Sequence, residues 1–199
     1  MLKSGRRNSP ERSFVANFLD LPDNLPVPED DGAARHLDGT KLISIPLHAT
    51  DNSLIDLSKN SGTTVVFIYP MSGVPGVELP PGWDDIPGAR GCTPQACSYR
   101  DKYPEIKQYA DNLFGLSVQS TEYQGELKRR VGLPYEILSD SDFKFANALQ
   151  LPTFEVHGMK LLKRLTIIII NGEIVSHHYP VFPSDEDVDW VLNYFASKK

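Results

Sequence analysis

Gly88-Ala89-Arg90-Gly91-Cys92-Thr93-Pro94-Gln95-Ala96-Cys97-Ser98-Tyr99-Arg100 holds both cysteines of a 199-residue chain. The loop before it is punctuated by Val74-Pro75-Gly76, Leu79-Pro80-Pro81-Gly82 and Pro87-Gly88. After it, Ala96, Tyr99, Tyr103 and Ile106 recur three or four residues apart, the spacing of a helix face. Pro94 suits a first helical turn, where a missing N–H has no partner to lose. Cys92 is therefore placed at or just before a helix N-terminus, and Cys97 inside the first turns.

That placement carries chemistry. The nucleophilic form of cysteine is the thiolate, and a free thiol ionises only near pH 8.5. Unpaired N–H groups and the positive end of the helix dipole favour an anion at a helix start. Arg90 and Arg100 add positive charge nearby in sequence. Five helical residues separate the two sulfur-bearing positions by about 7.5 Å of rise and about 140° of rotation, roughly 8–9 Å between Cα atoms. A disulfide needs less than about 7 Å. The pair cannot bond while this helix is intact and can bond once its first turn unwinds. A reactive thiol captured by a second one after local unfolding fits this spacing. Two ordinary cysteines, one buried as a small apolar residue and one incidental, fit it as well.

Other uses of the pair are excluded more firmly. None of the five histidines lies near it in sequence, which leaves a tetrahedral zinc site short of ligands. The spacing is not the Cys-x-x-Cys of thiol–disulfide exchange proteins, which disfavours a protein disulfide oxidoreductase. A net charge of −6 argues against nucleic-acid or acidic-membrane partners. No apolar run reaches the 18 residues of a membrane span. No secretory signal pattern appears, and two cysteines do not make a stapled secreted scaffold. The expected location is cytoplasmic, a reducing compartment. Lys3, Arg6, Arg7 and Arg12 make residues 1–13 basic; they read as a disordered tail, or alternatively as an organelle-targeting segment.

Outward from the motif, residues 63–69 are β-branched and aromatic without alternation, as in a strand buried on both faces. Pro70 ends that strand, and residues 71–88 form a long irregular connection of the kind that is usually functional or mobile. Further strands are expected at 41–47, 53–57, 113–119, 135–139, 163–170 and 173–179. Asp51-Asn52 and Asn171-Gly172 are the hairpin turns. The motif's helix is expected to run to about residue 110 with a kink at Pro104. Helices follow at 122–131, 142–148 and 185–197, with Thr121, Ser141 and Ser184 as caps. Val188, Val191, Leu192 and Phe195 make the core stripe of the last one, with Trp190 and Tyr194 beside it. A short turn is expected at 14–19 and an extended lead-in at 21–31. The boundary between lead-in and domain falls at 36/37. Alternating strands and helices closed by one hairpin make an α/β fold with a mixed sheet.

Tyr69-Pro70, Gly91-Cys92-Thr93-Pro94-Gln95-Ala96-Cys97-Ser98-Tyr99-Arg100-Asp101, Leu138-Ser139-Asp140 and Lys163-Arg164-Leu165-Thr166 together resemble the peroxiredoxin Q class, also called bacterioferritin comigratory protein. The resemblance spans residues 42–195. It implies a thioredoxin-like fold with peroxiredoxin additions and a thiol peroxidase acting on hydrogen peroxide and alkyl hydroperoxides. Cys92 would become the sulfenic acid, Cys97 would resolve it, and Arg164 would be the active-site arginine. Pro70, Gly91 and Arg90 would border the substrate. The implied partners are a hydroperoxide and a thioredoxin- or glutaredoxin-like reductant, in a monomer or weak homodimer without metal or cofactor. One departure stands out. The class carries a threonine three residues before the reactive cysteine and a proline four before that. Here Ala89 takes the threonine's place and Pro70 lies beyond the long connection, so this is an insertion-bearing subgroup. Ser72, Arg90 or the backbone N–H groups of Gly91 and Cys92 are the available substitutes. The competing reading is a non-enzymatic redox sensor or interaction module built on the same thiol pair.

Three further features have quieter readings. His177 and His178 face opposite ways on one strand, one buried and one exposed. Trp83-Asp84-Asp85 anchors and solvates the long loop, with a lid over the pocket as the functional option. Asp101 supports the helix surface.

Overall fold

A computed structural model describes Phe18 and residues 21–198. The tail and short turn expected before residue 20 lie outside these residues, Phe18 apart. In chain order the elements are β1 (Pro46–Ala49), β2 (Leu54–Asp56), β3 (Thr63–Ile68), α1 (Cys92–Asp101), α2 (Tyr103–Ile106), β4 (Asn112–Ser117), α3 (Thr121–Val131), β5 (Glu136–Ser139) and α4 (Lys144–Ala148). They continue as β6 (Thr153–Val156), β7 (Met159–Leu162), β8 (Leu165–Ile170), β9 (Glu173–His178) and α5 (Asp187–Ala196).

Seven strands form one mixed sheet in the order β2-β1-β5-β4-β3-β8-β9. The central β3, β4 and β5 are parallel, and β8 runs antiparallel to β3. The unbroken apolar run of β3 is explained by this central place. Val65 and Phe67 pack on one face with Tyr99 of α1, Leu127 of α3 and Val191 of α5. Val66 and Ile68 pack on the other with Leu138, Phe145 and Ile167. Buried on both faces, each such side chain contributes roughly 1.5–3 kcal/mol through removal from water.

The register decides what meets at the site. Ile68 pairs with Leu165, so Arg164 falls beside the C-terminal end of β3, the end that launches the long connection toward Cys92. Thr166 pairs with His178 on the neighbouring strand.

Several expectations are corrected. The strand expected at 41–47 begins only at Pro46. Lys41 forms a single bridge to Glu173, and the Leu42 N–H donates to the Gly172 carbonyl, so this stretch lies against the far hairpin instead. The motif's helix does not kink but stops: Lys102 leaves helical geometry, and α2 is a separate turn with Pro104 near its start. Ser120, not Thr121, caps α3. Helix α4 has no cap at Ser141. The buried Asp140 carboxylate instead accepts from the N–H groups of Phe145 (2.9 Å) and Ala146 (2.8 Å). Ser184 opens a 3-10 turn ahead of α5 and makes no side-chain cap. The hairpin β6–β7 has no counterpart among the sequence expectations. It turns at His157 and Gly158, both at positive φ. In the last helix Val188, Val191 and Phe195 are buried, and Leu192 packs against them partly exposed. No helix among the described residues is long and apolar enough to cross a membrane.

Candidate active site

Cys92 is the first residue of α1, and Gly91 is its N-cap at φ 102°. No side chain caps this end and no acid sits in the first turn. The positive end of the helix is therefore not neutralised locally, and an anion placed there is favoured. The sulfur is nearly closed off, with the residue 4% exposed. Two groups meet it: Arg164 Nη2 at 3.2 Å and the Ala89 carbonyl at 3.7 Å. A neutral thiol donates to that carbonyl. A thiolate loses this contact and keeps the guanidinium.

Gly91 is required here for two reasons. Its φ lies in the left-handed region, and an added Cβ would stand 2.1 Å from Ser184 Oγ and 2.9 Å from a Leu21 methyl. Gly91→Ala is expected to lower stability by about 2–4 kcal/mol, combining backbone strain with overpacking. A denaturant midpoint equal to the wild type's would contradict that.

Arg164, 3% exposed, does more than touch the sulfur. Its Nε donates to the Gly88 carbonyl at 3.2 Å, and Nη2 also donates to the carbonyls of Ala89 and Arg90, each at 3.1 Å. Nη1 donates to Gln95 Oε1. A planar fork with fixed donor directions gathers loop, helix and sulfur onto one rigid group.

Met71, Leu79, Trp83, Arg90, Gly91 and Cys92 border a small pocket, with Phe18 and Gly73 also on its wall. The Phe18 ring lies where a Gly73 Cβ would be, and the Arg90 guanidinium stands 5.6 Å above that ring. Arg90 also meets Asp84 at 3.3 Å. The structure thus gathers Cys92, Gly91, Arg90 and Arg164. Pro70, two residues past the end of β3, is buried and is not among the residues bordering the pocket. Ser72 gives both its N–H (2.9 Å) and its hydroxyl (3.1 Å) to Gln119 Oε1. Trp83 is buried as expected, its ring 6.2 Å from Phe154 of the unforeseen hairpin, so the long loop is anchored and not free.

Cys97 is buried in the second turn, and both cysteines are free thiols. Burial pushes the Cys97 thiol up, with Arg100 pulling the other way. Arg100 pairs with Asp101 at 2.7 Å, as a surface role for that acid requires, and ties α1 to the Val131 carbonyl at 2.7 Å.

Sequence reasoning passed over Gln95 and Asp187. Gln95 sits three residues after Cys92, which was a usable signal. Asp187 is 88 positions from Tyr99 in the chain, and nothing local marks it. The two histidines are both partly exposed, not split. His177 meets Asp38 and His178 meets Asp187, each at 2.8 Å. No cluster of three or more potential metal ligands occurs among the described residues.

Comparison with known proteins bears on the family and the fold. A family model described as Redoxin matches residues 30–192. Chloroplastic peroxiredoxin Q of Suaeda salsa is 25% identical over 165 residues, covering 82% of this chain and 70% of its own. Peroxiredoxin bcp1 of Schizosaccharomyces pombe is 30% identical over 149 residues, 68% of each chain. Among solved structures, peroxidoxin BcpB of Mycobacterium tuberculosis superposes with a TM-score of 0.64 at 21% identity, over 81% of this chain and 97% of its own. A variant of PrxQ from Xylella fastidiosa gives 0.65 at 18%, over 81% and 96%. These superpositions identify the thioredoxin-type fold of the peroxiredoxins.

Proposed function

We propose, from the premise that this chain belongs to the Redoxin family and within it to the peroxiredoxin Q/Bcp class, that its thiol peroxidase activity runs through Cys92, Arg164 and Cys97. The observation that carries the reading is the sulfur of Cys92 at the first residue of α1 with a buried guanidinium nitrogen 3.2 Å away.

The Cys92 thiolate attacks the terminal oxygen of a hydroperoxide. The O–O bond breaks, the sulfur becomes sulfenic acid, and the leaving alkoxide or hydroxide takes up a proton. Charge migrates from sulfur to the leaving oxygen, and Arg164 serves both ends because its charge is permanent. With Ala89 in place of a hydroxyl-bearing residue, positioning of the peroxide falls to Arg164, Arg90 and the first-turn N–H groups. Ser72 is a weaker substitute, since its hydroxyl is committed to Gln119.

Resolution follows by unwinding the start of α1. The Cys97 thiol attacks the sulfenic sulfur, water leaves, and a disulfide forms. A thioredoxin- or glutaredoxin-like dithiol then reduces it, becoming a disulfide itself. Each turnover consumes one hydroperoxide and one dithiol and yields one alcohol, or water, plus water. While α1 is intact, Cys97 stays neutral in its buried site and does not compete with Cys92 for the oxidant.

The test is mass spectrometry of the reduced chain after one equivalent of hydrogen peroxide. The expected product is two hydrogens lighter, with a bridge mapped to Cys92 and Cys97. Cys97→Ser should keep the first oxidation at the wild-type rate yet accumulate a trappable sulfenic acid and block repeated turnover with the dithiol donor. A Cys97→Ser chain that turns over normally would remove Cys97 from the mechanism. Oxidation of Cys92 with no turnover under any dithiol donor would favour the redox-sensor reading instead.

A further inference from the structure

We propose that Asp187 is a positioning residue for Arg164, acting through the side-chain amide of Gln95. The proposal rests on the reading that Cys92 and Arg164 carry the peroxide chemistry, and adds a residue that lies outside the pocket.

Asp187 begins α5 and is fully buried. Its Oδ2 accepts from Gln95 Nε2 at 2.8 Å, from the Tyr99 hydroxyl at 2.9 Å and from Thr166 Oγ1 at 2.6 Å. Its Oδ1 meets His178 Nδ1 at 2.8 Å, and the His178 ring is stacked on Trp190 at 4.8 Å. Burial and the carboxylate itself push the Tyr99 hydroxyl well up, so it remains a donor. A carboxylate is expensive to bury, and it is retained only where donors surround it. This one is surrounded, and one of its donors leads to the reacting sulfur.

Gln95 lies between two groups of opposite hydrogen-bonding character. A guanidinium only donates and a carboxylate only accepts. The amide therefore has one satisfactory orientation, with Oε1 to Arg164 Nη1 and Nε2 to Asp187. Turned over, it would set NH2 against guanidinium N–H and oxygen against carboxylate. Asp187 thus dictates which face Gln95 shows to Arg164. Because the guanidinium is a rigid plane, an acceptor fixed at Nη1 also fixes Nη2, the nitrogen 3.2 Å from Cys92 Sγ. The carboxylate does not touch the reacting atoms. It aims the group that does.

The geometry predicts non-additivity. In single-turnover oxidation of the reduced full chain by hydrogen peroxide, Asp187→Asn should slow Cys92 oxidation about tenfold, the scale on which removal of an orienting outer partner is felt. An asparagine can donate to Gln95 Oε1, and the amide loses its imposed direction. Gln95→Leu should slow it at least as much. The double variant should be no slower than Gln95→Leu alone. A purely structural role for Asp187 predicts that the two losses multiply, and that result overturns the proposal. So does an Asp187→Asn rate equal to wild type. If Asp187→Asn does not fold, Gln95→Leu decides alone, and a rate within about twofold of wild type sinks the relay. A wild-type chain inert to peroxide would be a failure of the functional reading only. The same three variants are then compared by iodoacetamide alkylation of Cys92, where the same equality of Gln95→Leu and the double variant is expected and multiplicative losses overturn the relay.

Discussion

Cys92→Ser is expected to bring hydroperoxide-dependent oxidation of a reduced thioredoxin system down to background, a loss on the order of 10³-fold or more, the effect of removing the proposed nucleophile. Serine keeps the shape of the site but is not ionised near neutral pH, so its oxygen does not attack the O–O bond. The second sulfur does not substitute. Cys97 is buried a turn further along α1, and burial holds its thiol in the neutral, unreactive form. The variant should still fold, because a buried thiol 4% exposed is exchanged for a hydroxyl with the Ala89 carbonyl as its acceptor. The measurement is the steady-state rate with a coupled reductase, alongside the mass of the chain after peroxide. Retention of more than a tenth of wild-type turnover, or oxidation appearing at Cys97, would remove Cys92 from the centre of the mechanism.

Replacing Arg164 is the second large effect. Arg164→Gln should slow the first oxidation of Cys92 by about 10²–10³-fold, the range seen when an oriented donor to developing charge is lost. The same side chain holds the carbonyls of Gly88, Ala89 and Arg90, so the loop that delivers Cys92 should also loosen. The two consequences separate in a lysine variant. Arg164→Lys restores a positive charge but cannot span the loop carbonyls, Gln95 and the sulfur at once, because an ammonium is a compact donor on a flexible stem. It is expected to recover less than about a tenth of the lost rate. Full recovery by lysine would mean that charge alone matters and that the fork geometry does not. Thermal unfolding on the same samples reports the loop's share, since a variant slow in chemistry but unaltered in melting has lost catalysis and not structure.

The parts of the site that were legible are those lying within one local pattern. Cys92, Gly91 and Arg90 occupy a single stretch, and a helix start can be read from Pro94 and from the apolar spacing that follows. Arg164 was legible at 72 residues' remove only through the family resemblance. The caps were misassigned because several hydroxyls or acids lie within reach of each helix start. Which one turns inward depends on packing: Ser120 wins over Thr121, and Asp140 reaches past Ser141 to the amides of α4. The β6–β7 hairpin was missed because its strands are short and half-exposed, with no alternation strong enough to register against the surrounding loop.

By itself the sequence determined the α/β class, the buried central strand and the place of Cys92 at a helix mouth with Cys97 five residues on. Those features depend on neighbours in the chain, and periodicity and local backbone chemistry report neighbours. Only the tertiary structure decided what surrounds the sulfur. The pairing of β3 with β8 brings Arg164 to Cys92, and the docking of α5 sets Asp187 against Gln95, Tyr99, Thr166 and His178. Contacts of that kind are fixed by strand register and helix packing across the sheet, which no local stretch of residues encodes.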